Sequence, residues 1–335
     1  MTTLITGGAG YVGGHTVVAL HAAGRNVVVL DDFSNARRDV VDELRLLTTP
    51  DLLVVEGDAA DRPTVEQLCD DHNVDSIVHF AACKSVPESL VDPLRYYRNN
   101  LVSTLCLAEV AVERGIERFV LSSSAVVYGR AGALPVTEET PAAPQSPYGE
   151  TKLMCERILT DAAAASGMRV VILRYFNPVG AHPSGRIGER PLAAAQNLVP
   201  AVMRAAQGSA ERLRVFGDDY ETRDGTAIRD FVHVTDLAEG HVAAIDADLG
   251  EQASRIFNLG TGVGTTVFEL IDAAVKATGR QIPYEISGRR PGDIAASWAD
   301  CSRAHVELGW RPGRDLAQML TDHWNFAQRW HHMGA

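Results

Sequence analysis

Gly7-Gly8-Ala9-Gly10-Tyr11-Val12-Gly13 follows directly on a short apolar run at residues 3–6 and opens a helical stretch reaching to about Ala23. A strand that passes through three spaced glycines into a helix leaves few folds open. The glycines permit a tight turn and close backbone approach, and the helix N-terminus then offers free N–H groups and the positive end of its dipole to a dinucleotide pyrophosphate. Gly24 suits the C-cap of that helix. A second apolar run ends at Asp31, eighteen residues beyond Gly13. An acid in that place accepts hydrogen bonds from adenosine ribose hydroxyls and repels the extra phosphate of NADP, so the loop selects NAD. A glycine-rich structural turn would have no need of strand, loop, helix and acid in this order.

The same texture continues. Short β-branched runs at 26–30, 52–56, 76–80, 119–122 and 170–174 alternate with longer helical stretches, and the runs lack polar alternation. Strands buried on both faces and joined by crossover helices make a parallel sheet, so the expected class is α/β, a doubly wound Rossmann sheet over residues 1–180. Beyond Gly180 the chain becomes loops punctuated by glycine and proline, as in Ala181-His182-Pro183-Ser184-Gly185, which predicts a smaller substrate domain over 181–335. Phe257-Asn258-Leu259 before Gly260-Thr261-Gly262 reads as a late strand near 256–260 that returns to the main sheet, so the two domains interleave.

Composition narrows the partners. A chain of 335 residues with 46% hydrophobic content builds a sizeable core, and a net charge of -12 without a block of Lys or Arg argues against nucleic acid. No apolar run approaches the roughly 18 residues that cross a bilayer, and the start Met1-Thr2-Thr3-Leu4 carries no basic signal region, which together imply no membrane and a cytoplasmic location. The five cysteines show no metal-ligand or Cys-x-x-Cys spacing and read as reduced thiols, with no metal.

Tyr148 and Lys152 lie one helical turn apart, and Ser122-Ser123-Ser124 follows the fifth strand at the carboxyl edge of the sheet, where open α/β folds bind ligands. Over a nicotinamide these three side chains have one coherent task, moving a proton to or from a hydroxyl while hydride moves at the same carbon. Tyr148 is the expected base, Lys152 with the positive nicotinamide lowers its phenol, and Ser124 orients the reacting oxygen. Bringing a phenol from about 10 to neutrality takes roughly 4 to 5 kcal/mol. One solvated ammonium does not supply that, so the scheme requires a closed, poorly hydrated pocket. Arg229 and Arg290 suit a diphosphate, although an arginine by itself is more often a structural ion pair. Phe216 either packs a base or fills core, and His79 and His233 read as packing residues.

These segments resemble the extended short-chain dehydrogenase/reductases, and among them the nucleotide-sugar 4-epimerases. The resemblance extends to Asp31-Asp32-Phe33-Ser34-Asn35, Glu56-Gly57-Asp58, His79-Phe80-Ala81-Ala82-Cys83-Lys84, Asn99-Asn100, Arg174-Tyr175-Phe176-Asn177-Pro178, Asn197-Leu198-Val199-Pro200, Arg229-Asp230-Phe231 and Arg289-Arg290-Pro291-Gly292-Asp293. It departs at Gly14, where serine is common, and at Glu150, where lysine is frequent. It implies that Gly7, Gly10, Tyr11, Val12, Gly13, Asp31, Asp32, Phe33, Ser34, Asn35, Asp58, Ala59, Phe80, Ala81, Ala82, Lys84, Asn99 and Phe176, with Ser124, Tyr148 and Lys152, hold NAD. Asn177, Asn197, Leu198, Phe216, Arg229, Arg290, Asp293 and Ser297 would then hold a UDP-sugar beside Ser124 and Tyr148.

The implied activity is reversible C4 epimerisation of UDP-galactose and UDP-glucose through a 4-keto sugar, with a UDP-pentose or UDP-uronic acid as alternative substrates. A 4,6-dehydratase shares the scaffold, but Ala125-Val126 lacks the acid and base that remove water. A non-catalytic NAD sensor would not need Tyr148 and Lys152. Ser297 stands where some relatives carry a bulky tyrosine against the sugar 2-substituent. Its small side chain admits N-acetylated sugars, unless neighbouring residues close the pocket. The resemblance also implies a homodimer through helices around 93–114 and 151–165.

Overall fold

The computed structural model describes residues 1–190, 197–208, 212–290 and 292–332. Strand and helix alternate through the first half as β1 (Thr2–Thr6), α1 (Tyr11–Ala22), β2 (Asn26–Asp31), α2 (Val40–Leu47), β3 (Leu53–Glu56), α3 (Arg62–His72), β4 (Val74–His79), α4 (Val86–Val91), α5 (Pro93–Glu113), β5 (Arg118–Ser124), α6 (Pro147–Ala165) and β6 (Arg169–Tyr175). The second half runs through β7 (Asn177–Val179), α7 (Leu198–Gln207), β8 (Leu213–Phe216), β9 (Ile228–His233), α8 (Val234–Ile245), β10 (Ser254–Leu259), β11 (Gly264–Thr266), α9 (Val267–Thr278), β12 (Tyr284–Ser287), β13 (Ala296–Ser297), α10 (Ser302–Glu307) and α11 (Leu316–His332).

Six early strands and β10 form one parallel sheet in the order β10-β6-β5-β4-β1-β2-β3. Successive side chains of a strand point to opposite faces, and in this chain both sets are apolar. Leu4, Ile77, Leu121 and Ile172 therefore pack with Val65 of α3, Leu107 of α5 and Leu159 of α6. Their neighbours Ile5, Val78, Val120 and Val171 pack on the other face with Val17 of α1, Leu44 of α2 and Leu237 of α8. Each of these fully buried side chains stabilises the fold by about 2 kcal/mol relative to exposure. His79 joins this packing, as expected, with its ring between the hydroxyls of Thr6 (2.7 Å) and Thr104 (3.1 Å).

The remaining strands make a second, smaller layer. β9 pairs with β7, β11 and β13, β8 pairs with β12, and the helices α7, α9 and α11 close over a core that includes Val202, Val215, Phe231, Leu270 and Leu320. The chain changes layer repeatedly, because α8 packs on α1 and β10 then extends the main sheet beside β6 before β11 returns. The strand order reverses at β1, between β2 and β4, which opens a crevice beyond the carboxyl ends of these strands. Among the described residues no helix is long and apolar enough to cross a membrane.

Candidate active site

The glycine loop sits at that reversal point. Gly7 N donates to Leu30 O (2.8 Å), while Phe80 N and Ala81 N donate to Thr6 O (2.9 and 3.1 Å), so the turn is clamped between β2 and the exit of β4. No side chain at these positions would fit. A Cβ on Gly13 would stand 2.3 Å from Gly7 O, and one on Gly7, whose φ is 72°, would stand 2.7 Å from Ala81 N. Gly10 caps α1 without any side-chain hydrogen bond, which leaves the first N–H groups of that helix for an anion. A cleft over the turn is walled by Gly10, Tyr11, Asn35 and Lys84 among others.

Asp31 is buried, its two oxygens accepting from Ala9 N and Phe33 N at 2.9 Å each. Burial pushes the carboxyl up, against those two N–H groups. It thus braces the glycine loop, and each oxygen keeps a free lone pair, as the predicted contact with a ribose hydroxyl requires. Asp32 accepts from the backbone and hydroxyl of Ser34, a local turn that carries Phe33 into the left-handed region at φ 55°. Asp58 is exposed after β3 and Ala59 is buried beside it. Beyond β4, Phe80 packs its ring on His241 (4.6 Å between centroids), and Asn99 and Asn100 both accept from Cys83 N. The predicted dinucleotide residues Gly7, Gly10, Asp31, Phe80 and Ala81 therefore lie along one strip of sheet edge.

Tyr148 and Lys152 are placed by the start of α6. Ser146 caps the helix by accepting from Gly149 N (3.2 Å), and Pro147 fixes its first residue. Both side chains are buried, Tyr148 to 9% exposure and Lys152 to 4%. Ser124 stands at the end of β5, its hydroxyl accepting from Val126 N (3.3 Å), and Tyr96 meets the Tyr148 ring edge-on at 6.5 Å. The expected action of Lys152 on the phenol is not what dominates in the chain itself. Its ammonium donates to Ser122 O at 2.8 Å and is pushed down by burial. Burial also pushes the Tyr148 phenol well up, helped by the Tyr175 phenol, and the Ser124 hydroxyl is the group that draws it down.

In the smaller layer, Arg229 Nη1 donates to Ile228 O and Ile294 O at 2.9 Å each, and Nη2 lies 3.8 Å from Asp293. Ser297 on β13 is the register partner of Arg229 on β9. Arg290 stacks over Phe216 with 4.2 Å to the ring centroid. Asn177 is exposed at the head of β7 behind buried Phe176, and Asn197 and Leu198 stand at the head of α7. Several contributors went unread in the sequence. Asp230 is fully buried and accepts from Thr261 N, Gly262 N and Ala299 N, which ties β9 to the exits of β10 and β13. Glu189 accepts from Asn197 (2.6 Å). The partners of Asp230 are remote in sequence, and the separation of eight residues between Glu189 and Asn197 is not that of neighbouring side chains on a helix or a strand. His233 has a structural task, accepting from Thr235 N to cap α8 and meeting Asp322 at 3.2 Å.

Residues 3–260 match the NAD dependent epimerase/dehydratase family. A UDP-glucose 4-epimerase of Bacillus subtilis is 46% identical over 327 residues, covering 97% of this chain and 96% of that one. Among solved structures, UDP-glucose 4-epimerase from Bifidobacterium longum in complex with NAD+ and UDP has a TM-score of 0.94 at 43% identity, with 98% of each chain covered. The one from Stenotrophomonas maltophila, with bound NAD and formylated UDP-arabinopyranose, has a TM-score of 0.97 at 42% identity over 100% of both chains. The chain therefore belongs to the NAD dependent epimerase/dehydratase family, as an enzyme that works with NAD. Within that family it groups with the UDP-glucose 4-epimerases.

Proposed function

We propose that this enzyme interconverts UDP-galactose and UDP-glucose by oxidising and re-reducing the sugar at C4. The observation that carries the reading is the pair of buried side chains on one face of α6, the Tyr148 phenol and the Lys152 ammonium, the latter held by Ser122 O at the end of β5 at 2.8 Å. The cradle fits the dinucleotide, because its helix is uncapped and its glycines leave no room for side chains. NAD, when bound, supplies the acceptor and donor of hydride at C4 and a positive ring near the phenol.

Tyr148 takes the proton of the C4 hydroxyl, holds it, and returns it to the oxygen of the 4-keto sugar once the other face is presented. Ser124, at the end of β5, orients the same oxygen. Lys152 lends its charge from one turn along α6. Arg229 and Arg290 grip the diphosphate and Phe216 the uracil side, so the nucleotide stays anchored while the hexose turns. Ser297 beside Arg229 leaves space for an acetamido group at C2, so UDP-N-acetylglucosamine and its galactose epimer also enter.

The test is incubation with UDP-galactose, UDP-N-acetylgalactosamine and UDP-pentoses without added NAD, followed by chromatography of the products. Conversion of the first two is expected, and Ser297→Tyr should abolish turnover of the acetylated pair alone. A requirement for stoichiometric NAD with release of a keto product would overturn the C4 reading. A wild-type enzyme inert on the acetylated pair would overturn the role of Ser297.

The functional unit is a homodimer in this reading. Support comes from α4 and α5, where Leu90, Val91, Leu94, Val102, Leu105 and Val112 are all exposed, and where α5 packs alongside α6. The α5 positions fall on one stripe at helical spacing, which a second copy of the chain would cover.

A further inference from the structure

Glu189, which reaches Asn197 at the head of α7, lines the cleft over the glycine turn with Tyr11 and Lys84. The chain leading to it is pinned: the Tyr11 hydroxyl donates to Gly180 O (2.7 Å), His182 N donates to Ile187 O (3.0 Å), and Ala181 bridges Gly188. A Cβ on Gly188 would lie 2.7 Å from the Phe326 ring, so only glycine lets α11 press this segment home. The next side chain then has a fixed outlook. Its Oε1 accepts from Asn197 Nδ2 at 2.6 Å. Lys84 and Arg204 are the cations that act on it, and the Tyr11 phenol feels its charge.

We infer that Glu189 is a positioning residue for the nucleotide diphosphate, acting through Asn197. An amide carries two N–H donors in one plane, so holding one of them aims the other. A carboxylate also decides between the two amide orientations, because the flipped one would set Asn197 Oδ1 against Glu189 Oε1, two acceptors without a proton between them. Glu189 thus keeps the second N–H of Asn197 turned to the phosphates, while Lys84 balances the charge from the NAD side. A carboxylate in direct contact with a diphosphate would repel it, which is why the effect runs through the amide. The assignment rests on the UDP-sugar reading above.

The experiment is a double-mutant cycle on the NAD-loaded enzyme, with UDP affinity measured by titration calorimetry, KM and kcat for UDP-galactose, and dinucleotide content after denaturation. Glu189→Ala is expected to weaken UDP about fivefold, the scale of one net hydrogen bond, and to raise KM by a like factor with kcat and NAD content little changed. In the Asn197→Ala background it should add nothing. Glu189→Gln, isosteric but able to face either amide orientation, should weaken UDP by less, and its cycle decides the matter if the alanine variant does not fold. Equal weakening in both backgrounds, or unchanged UDP affinity in both single variants at Glu189, overturns the assignment. Failure of the unsubstituted, NAD-containing enzyme to bind UDP overturns instead the reading on which it rests.

Discussion

Tyr148 and Lys152 show how far one residue's chemistry depends on its surroundings. In water the phenol would be an indifferent base, and burial by itself makes it a worse one. In the proposed reaction its usefulness comes from being held: Ser124 draws the phenol down, Tyr96 packs its edge, and Lys152 is fixed one turn away by Ser122 O. Replacing Tyr148 by Phe keeps the ring and removes the hydroxyl proposed to carry the proton. Turnover of UDP-galactose should then fall by about 10²- to 10⁴-fold, the usual weight of a general acid–base group, with NAD content unchanged. Single-turnover kinetics beside dinucleotide analysis checks both parts, and a variant within a few fold of wild type would remove Tyr148 from its assigned role.

At the level of elements, α5 presents a buried face and an exposed apolar face. Tyr96, Asn100, Leu107 and Val110 face inward, where Asn100 bonds Cys83 and Thr151 of α6. The opposite stripe leaves Leu94 75% exposed, next to Val91 at 85% on α4. A contiguous apolar patch on a surface marks a site of interaction, which the proposed second copy of the chain would cover. Leu94→Glu combined with Val102→Glu should convert a dimer to monomer in sedimentation velocity, with little loss of helix by circular dichroism. A wild-type protein that sediments as a monomer would refute the interface. Periodicity alone does not separate a helix face packed on its own sheet from one packed on another chain, and the two faces of α5 become distinguishable only when the sheet is in place.

Across the whole molecule, buried histidines couple folding to pH. Burial holds His15 and His79 at about 3 and His241 and His323 at about 4, all below the ordinary 6.5. Between 6.5 and those values the unfolded chain binds protons that the folded chain refuses, so stability is intact above 6.5 and is lost as pH falls through the window. Each such histidine removes about 1.4 kcal/mol per pH unit. Urea midpoints should therefore drop steeply from pH 6.5 to 4.5. His79→Phe should flatten the slope by about one proton, and an unchanged slope would contradict the account.

The sequence by itself determined the parallel sheet, the NAD-selecting turn and the shared helix face of Tyr148 and Lys152, because each of these is written in local spacing and in the apolarity of strands covered on both sides. Even the late return of β10 to the sheet was legible in Phe257-Asn258-Leu259 and the glycines after it. Tertiary structure alone decided that Ser297 lies beside Arg229, that Asp230 ties β9 to the exits of β10 and β13 and that burial governs the Tyr148 phenol more than Lys152 does. Those outcomes depend on which distant segments approach and on how much water they displace. Desolvation and long-range hydrogen bonds are properties of that approach, and no residue spacing along the chain encodes them.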